Sequence, residues 1–139
     1  MASRASVSAW AAARNMRQLS TFCAVGATAA ALHYAVVLAL VPLGLVALAS
    51  NVVGFLTAFV VSYVGHNAWT FPSRTERRRR AALHRFFRVA ITAFVVNETL
   101  FWVLLRWTSL PYQVSLALVL VIVAGGTFVA SKHWAFADA

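Results

Sequence analysis

Four stretches of mostly apolar residues, joined by links that are either very short or strongly basic, constrain this chain more than any other feature. They run from Leu19 to Val41, Val46 to Asn67, Phe86 to Trp107 and Tyr112 to Lys132. A helix rises about 1.5 Å per residue, so about 20 such residues cross the hydrocarbon core of a bilayer. The expected fold class is therefore an all-α membrane protein with four transmembrane helices. Composition agrees. Of the 139 residues, 62% are hydrophobic and 11% charged, with a mean hydropathy of +0.78. A soluble domain of that size has too small a core to hide so much apolar surface.

The links set the topology. Pro42–Leu45 (PLGL) and Thr108–Pro111 (TSLP) are so short that each joins antiparallel neighbours, giving two helical hairpins, with Pro42, Gly44 and Pro111 as the breakers. The middle link reads PSRTERRRRAALHRFFR, Pro72 to Arg88. Its basic residues, with Arg4, Arg14, Arg17 and Lys132, place eleven of the twelve cations on one side, leaving only Arg106 on the other. The positive-inside rule then puts both termini and the basic loop, 72–85, in the cytoplasm. A net charge of +9 in a soluble chain would suggest nucleic acid. Here the charges flank apolar spans, so topology and anionic lipid account for them and no nucleic-acid partner is expected.

Residues 1–18 form an Ala-, Ser- and Arg-rich extension, read as cytoplasmic rather than as a transit peptide, and domain 19–139 follows. The first span is too long for a signal-peptide core, so no cleavage is expected. The single cysteine, Cys23, forms no intramolecular disulfide, and no cluster of metal ligands is present in the sequence. No cofactor or metal is expected.

The chain also repeats. A shift of 65 residues lays SYVGHNAWTF (Ser62–Phe71) on TFVASKHWAF (Thr127–Phe136), so that Trp69 falls on Trp134 and Phe71 on Phe136. Both segments end a span on the basic side, so the halves share one orientation, related by an axis along the membrane normal. Duplicated halves are common in transporters, whose sites lie where the repeats meet. Interfacial Trp and Phe, which mark any membrane boundary, are the plainer reading of the same aromatics.

From Leu19 to Asp138 the chain resembles the GtrA-like family of small polytopic membrane proteins. The resemblance is carried by Val25–Gly26, Leu32–Tyr34 (LHY), SNVVGF at Ser50–Phe55, the polar-then-WTF end at His66–Phe71, and SKHWAF at Ser131–Phe136. It implies a four-helix protein of the bacterial cytoplasmic (inner) membrane, tied to cell-surface polysaccharide or glycan synthesis, that flips a polyprenyl-phosphate-linked sugar between leaflets. Where family members often carry Asn followed by a basic or small residue before the closing Phe, this chain has His66–Asn67 and Ser131–Lys132. Only the position, a polar pair at a cytoplasmic helix end, carries over. Glu98 is no part of the family pattern.

Glu98 is the residue that most demands an explanation. It lies nine residues from Trp107, about 13 Å deep at 1.5 Å per residue and near the middle of a core about 30 Å thick. An acid there costs on the order of 2.5–3.5 kcal/mol on insertion scales, so it must face protein, a partner or water. The 65-residue shift sets His33 on Glu98. The two are read as lining one polar path together with Asn51, and the bland alternative is structural hydrogen bonding. Asn97 points about 100° away from Glu98 and is read as structural. Ser50, Gly54, Ala58 and Ser62 form a four-residue stripe, which His66 continues, and they read as helix packing; so does Gly125–Gly126. Arg74 and Arg77–Arg80 need no ligand. Arg85, Arg88 and Lys132, with His66 and Asn67, stand at cytoplasmic span ends, where a lipid phosphate or head group could meet them. Trp69, Phe71, Trp134 and Phe136 are interfacial anchors.

The leading reading is a lipid-linked sugar translocase whose partners are the polyprenyl-phosphate sugar and membrane lipids. Four helices make a narrow bundle, so a solvated path calls for a homo-oligomer or a groove open to lipid. A scaffold that recruits a membrane glycosyltransferase is the alternative, and a small proton-coupled exporter the third. Enzymatic activity is not expected, since no nucleophile–base pair is supported by a soluble site.

Overall fold

In the computed structural model residues 4–65 and 76–136 are described, and all of them outside two turns are helical. Four helices follow in order: α1 (Arg4–Leu40), α2 (Ala47–Gly65), α3 (Glu76–Trp107) and α4 (Tyr112–Phe136). A helix satisfies each backbone group within its own segment, which lipid demands of a spanning chain. Three stretches are long and apolar enough to cross a membrane: Ser20–Leu40, Ala47–Gly65 and Phe86–Trp107. In α4 the apolar stretch among the described residues is shorter, Tyr112–Thr127.

Two boundaries differ from the sequence reading. Residues 76–85, assigned above to the basic loop 72–85, are the first turns of α3 and run without a break into its apolar span. Nothing between Glu76 and Trp107 interrupts a helix. The segment ERRRRAALHR is built of good helix formers, with an acid at the N-terminus where the macrodipole favours one. The N-terminal extension likewise joins the first span from Arg4 onward as one helix. The assignments of His66, Asn67, Trp69 and Phe71 lie outside the described residues, as do the side chains of Arg85, Lys132, Trp134 and Phe136.

Both described links are closed by local hydrogen bonds. At the end of α1, Leu45 N–H donates to Leu40 O (3.2 Å) and Gly44 N–H to Val41 O (3.0 Å). That paired pattern needs a left-handed residue, which Gly44 supplies at φ +97°. At the end of α3, Thr108 donates twice to Leu104 O, from its N–H (3.1 Å) and from its Oγ1 (2.6 Å). Pro111 then precedes α4, and its carbonyl accepts from Ser115 N–H at 3.1 Å. A proline costs nothing there, because a helix start has no intrahelical use for its N–H.

The helix α1 packs chiefly on α2 and α3 on α4, with lighter contact of α2 with α3 and of α1 with α4. Small residues make the α1–α2 approach close. A Cβ added to Gly65 would lie 2.9 Å from Val25 Cγ1, and one added to Gly54 would lie 2.9 Å from the His33 carbonyl oxygen and strike the His33 ring. Gly125 and Gly126, read above as packing residues, have nothing among the described residues that an added Cβ would meet.

Burial is inverted relative to a soluble domain. His33, Ser50, Asn51, Asn97 and Ser115 are buried, with at most 2% of their surface exposed, while Val60, Val64, Val95, Ile91, Val121 and Ile122 face outward. Water would reverse that distribution, and lipid favours it.

Candidate functional site

The hydroxyls within the spans are mostly satisfied on their own helices. Thr28 Oγ1 donates to Ala24 O (2.9 Å), Thr57 Oγ1 to Val53 O (2.8 Å), Thr92 Oγ1 to Arg88 O (3.0 Å) and Thr127 Oγ1 to Val123 O (2.7 Å). These bonds hide the hydroxyl without tying helices together. Among the described residues, every side-chain hydrogen bond between helices passes through one group, the amide of Asn51.

Asn51 Oδ1 accepts from His33 Nε2 of α1 at 2.8 Å. Asn51 Nδ2 donates to Asn97 Oδ1 at 2.7 Å and to Glu98 Oε2 at 2.7 Å, both on α3. The amide has one acceptor and two donor hydrogens, and all three are used. Its orientation is fixed by the two oxygens it faces. His33 must then carry its proton on Nε2, since Asn51 Oδ1 can only accept. Glu98 is half-buried and Asn97 fully buried.

Each member is placed by its helix. Gly54 follows Asn51 by three residues on the same face, and its missing side chain is the seat of the His33 ring. Asn97 and Glu98 differ by about 100° in direction, yet one amide reaches both because its two hydrogens diverge. The sequence reading assigned Asn97 to structure and left it outside the polar path; the structure makes it part of the same layer. The available signal was its spacing, one turn before Phe101, which is fully buried.

The layer has different neighbours on its two sides. One turn beyond His33 and Asn97 lie Val37 and Phe101, which form a fully buried apolar cluster with Leu116 and Val119 of α4. This cluster stands between the polar layer and the two short links. On the other side the α2 and α3 faces are aromatic. Phe55 meets Phe94 at 4.8 Å, Phe59 meets Phe86 at 5.4 Å and Phe87 at 5.1 Å, and Tyr63 lies 6.0 Å from Phe86. Arg88, one residue past Phe87, is exposed at the far end of that seam and about 15 Å along the helix from Glu98.

Of the residues read as candidates, the structure therefore unites His33, Asn51 and Glu98, and sets Arg88 apart from them. His33 and Glu98 are joined through Asn51. Ser115 was not singled out by sequence. Its hydroxyl is buried and has no hydrogen-bond partner, and no signal in the sequence marks it. No group of His, Cys, Asp or Glu that could hold a metal ion occurs among the described residues.

An all-helical protein with an apolar exterior and a hydrogen-bonded polar layer inside its spans is a membrane protein built to hold polar groups at depth. Residues 21–136 match the GtrA/DPMS transmembrane domain. The chain belongs to the GtrA/DPMS transmembrane-domain family. No curated protein and no solved structure gives a significant match.

Proposed function

We propose that the chain translocates a polyprenyl-phosphate-linked sugar across the bacterial cytoplasmic membrane, for cell-surface polysaccharide or glycan synthesis. The GtrA/DPMS family is associated with lipid-linked sugar translocation, and the observation that carries the reading is the Asn51-centred layer. It gathers a carboxylate, two amides and an imidazole in the part of the chain where lipid offers no polar group, with half-buried Glu98 the member open to a head group. Exposed Arg88, with Arg85 and Lys132 at span ends, supplies cations where a phosphate would enter. The polyprenyl chain stays in lipid against the outward apolar faces.

In this reading all four helices cross the membrane as two hairpins of like orientation, with both termini cytoplasmic, a placement supported by the asymmetry of basic residues. The α2–α3 seam is the route to the layer in this reading, because Asn51, Asn97 and Glu98 lie on those two helices and the pair is more lightly packed than α1 with α2 or α3 with α4. A homo-oligomer or a groove open to lipid completes the path. No phosphate-binding glycine loop is present in the sequence, so the energy comes from the substrate gradient or from protons.

The test is a leaflet-accessibility assay in vesicles loaded with labelled polyprenyl-phosphate sugar. Purified protein should accelerate exposure of the label to a membrane-impermeant reagent, and Glu98→Gln should slow it. Absence of transfer, together with tight association with a glycosyltransferase, would establish the scaffold reading instead.

A further inference from the structure

Arg106 stands apart from the other cations. Of the twelve basic residues it alone lies at the end of the spans that holds the two short links, in the last turn of α3, against the bias that gathers the rest. It is exposed. The nearest acid along its helix is Glu98, eight residues or about 12 Å away.

Its position on α3 is specific. Arg106 follows Arg88 by 18 residues, which is five full turns, so the two lie on the same side of the helix and about 27 Å apart. That distance is close to the thickness of a hydrocarbon core, about 30 Å. Thr92, Thr99 and Trp102 fall within about 40° of the line joining them, and all five residues are exposed. The Thr99 hydroxyl makes no hydrogen bond among the described residues, whereas Thr28, Thr57, Thr92, Thr108 and Thr127 each bond a carbonyl of their own helix. Half-buried Glu98 borders the line about 80° to one side, between it and buried Asn97.

An exposed stripe with a cation at each end and a bilayer core between them suits one kind of ligand. The phosphate of a lipid rests at one head-group level or the other. On the basic side Arg88 can meet it. At the far end the Arg106 guanidinium offers a fork that pairs with two phosphate oxygens. It stands beside two exposed indoles, Trp102 (47%) and Trp107 (74%), whose rings are 6.5 Å apart and carry N–H donors. Interfacial anchoring accounts for the tryptophans, but not for a lone cation in register with Arg88. We propose that Arg106, flanked by Trp102 and Trp107, is a second phosphate site, which receives the phosphate of the lipid-linked sugar at the outer end of the α3 stripe. The inference rests on the translocase reading and adds its far-side site.

The experiment uses the full chain and a labelled short-chain polyprenyl-phosphate hexose. In phosphatidylcholine nanodiscs the wild type should bind one labelled lipid at each end, and Arg106→Gln should lose the one at the outer end. Transfer in phosphatidylcholine vesicles, read with a membrane-impermeant reagent, should fall about tenfold in Arg106→Gln, the worth of one charge-assisted hydrogen bond. Arg106→Lys, which keeps the charge, should retain most of both. Replacing part of the phosphatidylcholine by phosphatidylglycerol should leave the outer labelled lipid in place. Its displacement overturns the inference, since Arg106 is then an ordinary head-group anchor. Slower transfer with both labelled lipids still bound to Arg106→Gln overturns it as well. Binding and transfer both unchanged in Arg106→Gln overturn the site and leave the translocase standing. No transfer by the wild type, with outer binding that Arg106→Gln abolishes, removes the translocase and keeps the site.

Discussion

Asn51→Leu tests the layer most directly. Leucine has a similar volume and suits an apolar span, so the substitution removes the amide without opening a large cavity. It deletes three hydrogen bonds at once, of 2.8 Å to His33 and 2.7 Å each to Asn97 and Glu98. Interhelical side-chain hydrogen bonds in membrane proteins average about 0.6 kcal/mol, which gives about 2 kcal/mol for the three. The substitution also strands an imidazole N–H, an amide oxygen and a carboxylate oxygen. An orphaned buried polar group costs about 1–3 kcal/mol, although half-buried Glu98 recovers part of its share from its surroundings. The expected loss is on the order of 2–5 kcal/mol.

The measurement is reversible unfolding in mixed micelles as denaturing detergent is titrated in, followed by the fluorescence of the five tryptophans. Val60→Leu, on an outward face of α2, serves as the control and should change little. A loss under about 0.5 kcal/mol for Asn51→Leu would show that the three bonds are exchanged for water or lipid contacts at no cost. The layer would then not hold α1, α2 and α3 together.

Three further outcomes follow from the packing. Gly54→Ala should destabilise by about 1–3 kcal/mol, because the new methyl meets the His33 backbone as well as its ring, whereas Gly65→Ala should cost less because only the Val25 side chain must turn; the same detergent titration compares them. Ser115→Ala should leave stability unchanged or raise it by up to about 1 kcal/mol, since it removes a buried hydroxyl that has no partner. Gly125→Ala and Gly126→Ala should each be neutral or stabilising by up to about 1 kcal/mol in the isolated chain, where the new methyl meets nothing; a loss of a cross-linkable dimer in either variant would show that this face packs against a second copy.

Hydrophobic runs and breakers made the helices legible. The helix ends on the basic side were not, because charge is not a breaker. ERRRRAALHR is a poor membrane segment and a good helix, and hydropathy reports only the first property. The site was partly legible for a similar reason. Depth along a span follows from counting residues, so His33 and Glu98 could be set level from their repeat spacing. Direction around a helix is set by packing, and packing depends on which small residues let helices approach. Gly54 reads as one member of a stripe, and only the assembled pair of helices shows that its gap holds the His33 ring and leaves Asn51 at bonding distance. Asn97, read as structural, bonds another helix, and its 100° offset from Glu98 hid that the two share one partner. A single amide with two diverging hydrogens reconciles them.

The repeat gives that arrangement its logic. Under the 65-residue shift Ser50 falls on Ser115, Asn51 on Leu116 and Gly54 on Val119. The two serines are both fully buried, so α2 and α4 turn matching positions inward. At the next two positions the halves diverge. The first half keeps an amide and a gap, and they build the polar layer with His33 and Glu98. The second half has leucine and valine, and they form the dry cluster beside it. A symmetric chain with asparagine at both positions would place a second amide among the apolar side chains of that cluster. The asymmetry therefore confines the hydrogen-bonded polar layer to α1, α2 and α3. The polar layer lies between the aromatic faces of α2 and α3 and the dry cluster beside the short links. In the proposed translocation, release toward the short links requires Val37, Phe101, Leu116 and Val119 to repack.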